Sequence, residues 1–177
     1  MASLAVPTMR TWTVGEYETA AFFNTNVRDT GNFLLNPPIA LIYASSPPSF
    51  GSGTFLVLNC DGTSWDTYGG HSNTTNNSRY TAQVAGFYMA FATASWGPNA
   101  TGNRGVSLYK NGTPLSNPSS QMMVPSTNTG NNVIVQAAGM VQLNVGDYIE
   151  TFVYQGSGGS LSCASGQSGM AVMWIHA

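Results

Sequence analysis

Seven carboxylates, two histidines and two cysteines are the groups in this chain of 177 residues that most often carry acid–base, nucleophilic or metal chemistry. His71 stands in a polar loop and His176 beside the C-terminus, and no Gly-x-Ser-x-Gly elbow supplies either with a nucleophile. Asp61 and Asp66 are close enough in sequence to suggest the acid and base of a glycosidase, but no motif supports the pair. Asp61 belongs to an Asp-Gly turn and Asp147 to a Gly-Asp turn, where turn formation explains them better. Glu150 is the remaining carboxylate of the β region. The run "GSGGS" at Gly156–Ser160 lacks the lysine and the following helix of a phosphate loop. Cys60 and Cys163 show no zinc-ligand spacing and are expected to be free thiols. The expectation is a non-enzyme with no cofactor and no metal.

Binding chemistry is better represented. Trp65, Tyr68 and Trp96 lie in or beside loops rich in Asn, Ser and Gly. Aromatic rings stack on sugar rings while amides bond hydroxyls, a residue mix that gives adaptable contacts at low entropy cost. These three are the candidate ligand-binding residues. Structural roles compete with this, because Trp65 and Trp96 also suit the ends of a core.

Charge narrows the partner classes. Charged residues make up 7% of the chain, against roughly a quarter in ordinary domains. The formal net charge is −2 and no basic stripe exists, which argues against nucleic acid. No stretch approaches the roughly 20 apolar residues that insert into a bilayer. The opening "MASLAVPTMRTW" carries no secretory pattern, so synthesis in a cytosol is expected.

The elements that must position these residues are one helix and many strands. Thr19 is a helix N-cap and Asn36-Pro37 a stop, so the helix is expected over about 20–35, some 24 Å of rod. Phe23, Val27, Thr30 and Leu34 form its apolar stripe, with Phe33 beside it. A lone helix of that length is marginal in water. Its apolar face must fold back on the β region, meet copies of itself, or dock elsewhere. From Ile39 onward, turn signals separate about eight strands, including an Asn-Gly hairpin at Asn111-Gly112. In the long strand around residues 86–96, Phe87, Met89 and Phe91 share one face, and Tyr88, Ala90, Ala92 and Ala94 the other. Packing on both faces follows. The pattern predicts an all-β sandwich or jelly roll over 39–177, preceded by a segment 1–38 that holds the helix.

Four blocks carry a resemblance: "RYTAQVAGFYMAFATAS", "GVSLYKNGTPL", "GMVQLNVGDYIETFVY" and "SGMAVMWI". In type and order they resemble the globular head of the first complement component, a tumour-necrosis-factor-like jelly roll. The resemblance implies ten strands and a compact homotrimer. It implies that Tyr88, Ala90, Tyr154 and the closing strand with Met173 meet at the trimer axis. Calcium is bound by some members, but no carboxylate cluster here carries that over.

The front segment, "RTWTVGEYETAAFFNTNVRDTGNFLLNPP", resembles the N-terminal segment of minor tail and fibre proteins of bacteriophages that infect actinobacteria. The shared positions are Thr11, Trp12, Gly15, Glu16, Thr19, Ala20, Asn24 or Asn26, Val27, Arg28, Asp29, Asn32, Phe33, Leu34, Pro37 and Pro38. This implies a virion structural protein, made in the host cytoplasm. Residues 1–38 would bind other virion proteins, with Phe23, Val27, Phe33 and Leu34 as the anchor-helix contacts. The head would bind host surface glycans as a tail-fibre or tail-tip knob. A capsid head fibre or decoration protein, and a secreted complement-like recognition module, are the alternatives.

Overall fold

The computed structural model describes residues 6–8, 10–126 and 130–177. The helix, α1, runs in three continuous pieces: α-helical Ala20–Phe23, a π-helical turn Asn24–Arg28, and α-helical Asp29–Leu35. Thr19 caps it, its hydroxyl accepting from the Phe22 amide at 3.3 Å. Asn36 leaves the helical region just before Pro37 and ends it. Inside the helix, Asn26 Nδ2 donates to the Phe22 carbonyl at 2.9 Å, and the Thr30 hydroxyl to the Asn26 carbonyl at 3.0 Å. Side chains that bond the helix's own carbonyls compete with its ladder, and the turn here widens.

Among the described residues thirteen strands follow. In chain order they are β1 (Ile39–Tyr43), β2 (Ser49–Phe50), β3 (Phe55–Val57), β4 (Gly62–Asp66), β5 (Arg79–Thr81), β6 (Gly86–Trp96) and β7 (Asn103–Lys110). Then come β8 (Thr113–Pro114), β9 (Gln121–Pro125), β10 (Val133–Leu143), β11 (Tyr148–Gln155), β12 (Leu161–Ser162) and β13 (Gly169–His176). The count exceeds the expected eight to ten because β2, β8 and β12 are two-residue pairings inside connections.

Two antiparallel sheets form a jelly-roll sandwich. The first has the order β10-β6-β13-β1-β4. The second has the order β3-β11-β7-β8, with β5 also beside β11 and β9 beside β7. The turn between β7 and β8 is the expected Asn-Gly hairpin, and Asn111 and Gly112 both take positive φ, 50° and 76°.

The core lies between the sheets. The inner face of β6 presents Tyr88, Ala90, Ala92 and Ala94, all without exposed surface. The small alanines leave room for Met170 of β13, Leu108 of β7 and Val153 of β11. Tyr88 packs near Tyr80, ring centroids 6.1 Å apart, and its hydroxyl donates to the Val84 carbonyl at 2.6 Å. Burial pushes the Tyr88 phenol up to about 12.

Arg104 and Asp147 use their charge to hold loops. Arg104 has no exposed surface and no carboxylate beside it. Its Nη1 donates to the carbonyls of Thr101 and Asn103, both at 2.9 Å, and Nη2 to that of Asn99 at 2.8 Å. The guanidinium thereby staples the loop after β6, and burial lowers its pKa. Asp147 closes the β10–β11 turn. It accepts from the Asn144 amide at 2.9 Å and from Asn111 Nδ2 at 2.8 Å, with Lys110 Nζ at 3.0 Å. Those three donors, the Asn144 amide foremost, lower its carboxyl to about 2.

Two outcomes follow. β13 crosses β1 so closely at Gly169 that a Cβ there would collide with the Ile42 carbonyl and the Tyr43 Cα. Gly169→Ala is expected to lower stability by about 2 kcal/mol in thermal or denaturant unfolding. Because the folded-state pKa of Asp147 lies below its ordinary 3.8, its contribution is complete above about pH 4 and is lost as the pH falls toward 2. In acid titration of stability, Asp147→Asn should be destabilised at neutral pH and converge on the parent chain near pH 2.

Candidate interaction surfaces

The groups that suggested chemistry are engaged in holding loops. Asp61 accepts from the Ser45 amide at 2.6 Å and hydroxyl at 2.7 Å, and these bonds lower its pKa. Asp66 accepts from the amides of Tyr68 at 3.3 Å and His71 at 2.8 Å. Both carboxylates thus serve as ties to neighbouring backbone amides. The His71 ring sits between two carbonyls, Nδ1 at 2.8 Å from Arg79 O and Nε2 at 3.0 Å from Cys60 O. Glu150 is buried and accepts from the Ser78 hydroxyl at 2.7 Å. Cys60 and Cys163 are free and buried, and burial pushes both thiols up to about 12, away from thiolate reactivity. Among the described residues no group of three or more His, Cys, Asp or Glu stands together.

The three aromatic ligand candidates go to three different environments. Trp65 is 52% exposed on the edge strand β4, opposite Leu41. Tyr68 is half-buried under the helix, its ring edge-on to Phe33 at 6.4 Å. Trp96 has no exposed surface and packs edge-on to Phe50 at 5.7 Å. The binding expectation for Trp96 is therefore corrected. It ends β6 inside the sandwich, where apolar area outweighs its loop-like flanks.

The trimer-axis residues divide similarly. Tyr88 and Ala90 point into the core between the sheets, so no neighbouring chain can meet them. Tyr154 lies half-buried on the outer side of β11, in the other sheet, against Phe55 at 5.2 Å. The expectations for Tyr88 and Ala90 are corrected, because alternation separates faces and only packing of the sheets says which face is inside. Met173 is 45% exposed on the outer side of β13.

The outer side of the five-stranded sheet is apolar. Register aligns Met140 of β10, Met89 of β6, Met173 of β13 and Ile39 of β1 in one row. The next row holds Ala138, Phe91, Ala171, Leu41 and Trp65. Ile134, Met140, Phe91, Met173, Ile175 and Trp65 are all exposed, and neither row contains a charge. A groove of about 410 Å³ crosses this face beside Leu41, Tyr43, Phe91, Thr93 and Ala171. The alternation of β6 predicts packing on both of its faces. It does not show the rows, because Met89, Met140 and Met173 become neighbours only through register.

Among the described residues of the helix, Phe33 is the one that is buried. It stands edge-on to Trp174 at 4.9 Å and to Tyr68. Phe23, Val27 and Leu34 remain exposed, as do Phe22 and Leu35. The expected stripe therefore faces away from the head. The widened turn is one cause, since an extra residue per turn rotates the following face by roughly 100°.

No family profile and no curated protein matches this chain. Solved structures do. Murine APRIL at pH 5.0 superposes with a TM-score of 0.58 at 12% identity, over 78% of this chain and 98% of that one. Murine APRIL at pH 8.0 gives 0.58 at 11% identity over the same shares. The globular domain of zebrafish complement 1qA gives 0.56 at 14% identity, again over 78% and 98%. The head has the jelly-roll fold of tumour-necrosis-factor-like and complement globular domains.

The two tryptophans can be told apart by experiment. Trp96→Ala should cost about 3–5 kcal/mol of unfolding free energy as a core truncation. Trp65→Ala should change stability by no more than about 0.5 kcal/mol in the same denaturant titration.

Proposed function

We propose that the chain is a homotrimeric bacteriophage virion protein, a minor tail protein or tail-fibre knob. Residues 1–38 hold it to the particle, and the head binds glycans on the host surface. The observation that carries this reading is the uncharged apolar outer face of the five-stranded sheet. Contiguous apolar patches beyond a few hundred Å² mark interaction sites. Five adjacent strands bearing Met140, Met89, Met173, Phe91, Leu41 and Trp65 make such a patch. A second and third copy would cover it without desolvating any charge. The resemblance of the head blocks favours three copies over two.

The exposed Phe22, Phe23, Val27, Leu34 and Leu35 of α1 support a partner for the front segment as well. Its resemblance to phage tail proteins favours another virion protein in that role. The uncharged Asn, Ser, Thr and Gly loops of the head suit neutral polysaccharide better than an ionic receptor.

Sedimentation of the full chain at micromolar concentration should give a trimer. Met89→Glu combined with Met173→Glu should give a monomer with unchanged circular dichroism. A parent chain that sediments as a monomer would refute the assembly. Gold-labelled antibody against the head should decorate tails of intact particles. Label on the capsid would make the protein a head fibre, and unlabelled particles would remove the virion reading.

A further inference from the structure

Helix α1 turns its polar side, rather than its apolar side, toward the head. Thr25, Asp29, Asn32 and Asn36 recur at helical spacing, and all four line one cavity of about 470 Å³. Phe33 and Tyr68 form its aromatic wall, and residues 7 and 8 close one side. The volume falls within the roughly 300–1,000 Å³ typical of small-molecule sites.

Part of the hydrogen-bonding capacity of this wall has no protein partner among the described residues. The side-chain amides of Asn32 and Asn36 have no protein partner among the described residues. Arg28 places both of its contacts on Oδ1 of Asp29, at 2.9 and 2.8 Å, so Oδ2 accepts from no group among those residues. Burial raises the pKa of the Tyr68 phenol, which keeps it a neutral donor and acceptor. Amides that both donate and accept, a carboxylate oxygen and an aromatic wall match one ligand chemistry. It is a ring with apolar C–H faces and several adjacent hydroxyls. Among the described residues no cation lines the cavity, so they offer a phosphate or carboxylate ligand no counter-charge. The Asp29 charge is already balanced by Arg28, so a cation would gain little.

We infer that the cavity between the helix and the head is a binding site for a neutral hexose-sized sugar, one residue of a glycan. Asn32 and Asn36 bond adjacent hydroxyls, Asp29 Oδ2 accepts from a third, and the wall of Tyr68 and Phe33 lies along one side of the ring. This rests on the reading of the protein as glycan-binding and moves the site from the head loops to the junction of the helix with the head, leaving the opposite, apolar side of the helix to the particle. It also explains why the helix leaves its apolar residues in solvent. The side toward the head is reserved for a polar ligand, and Phe33 alone sets the spacing.

The test is a titration of the ¹⁵N-labelled full chain with D-glucose, D-galactose, D-mannose and N-acetyl-D-glucosamine, one at a time. At least one sugar should shift amides of residues 25–36 and 68–70, with a dissociation constant on the order of 1 mM. Asn32→Ala with Asn36→Ala should weaken that binding about tenfold. Thr25→Trp fills the cavity from an exposed position without removing a contact that holds the helix. It should abolish the shifts at an unchanged melting temperature. Shifts centred on Trp65 or the distal loops would overturn the cavity site and leave glycan binding standing. So would no shift with any sugar while the chain still adsorbs to purified bacterial cell-wall polysaccharide. Absence of both shifts and adsorption would overturn the site together with the glycan reading.

Discussion

Strand β6 is hydrogen-bonded on both edges, to β10 and to β13, and its alternation divides the molecule. Successive side chains of a strand must point to opposite faces. The inner face therefore carries Tyr88, Ala90, Ala92 and Ala94, and the outer face Phe87, Met89, Phe91 and Thr93. A slip of one residue would drive two phenylalanines and a methionine into space that the alanines keep small. Two bonded edges make that slip unavailable. The core, the apolar outer face and the directions of β10 and β13 are all consequences of this one register.

The scarcity of charge has a structural counterpart. The ionised groups of the head are mostly committed to shaping loops rather than to keeping the surface wet. Arg104 gathers three carbonyls, Asp61 holds Ser45, Asp66 holds the chain around Tyr68 and His71, and Asp147 closes the β10–β11 turn. Each charge replaces several weaker local contacts in a segment too short for its own core. What remains on the surface is neutral amide, hydroxyl and apolar area. That composition suits contact with neutral polymers and with copies of the same chain.

Local features read well from the sequence. Thr19 and Asn36-Pro37 mark the helix ends, Asn111-Gly112 marks its hairpin, and the two-sided pattern of β6 marks a strand packed on both faces. Each depends on a residue's own backbone preference or on neighbours a few positions away. The candidate site was only partly legible. Trp65 and Trp96 have similar polar flanks, yet one lies on an edge strand and the other plugs the core. Tyr88 and Ala90 were correctly separated from Phe87 and Met89, but were given the outer side instead of the inner. The direction of the helix stripe was also hidden, because the π turn arises from side chains bonding backbone carbonyls in place.

The sequence by itself determined that the chain is an all-β sandwich behind one capped helix, and short of charge. These properties follow from alternation, turn chemistry and composition, which act over short distances along the chain. Only the tertiary structure decided which side of β6 is buried. Only it aligned Met140, Met89, Met173 and Ile39 in one row, and only it set Tyr68 against Phe33 beside a polar cavity. Those juxtapositions depend on strand pairing between distant residues and on the seating of the helix. Both are fixed by how well the whole interior fills, so no short stretch of sequence encodes them.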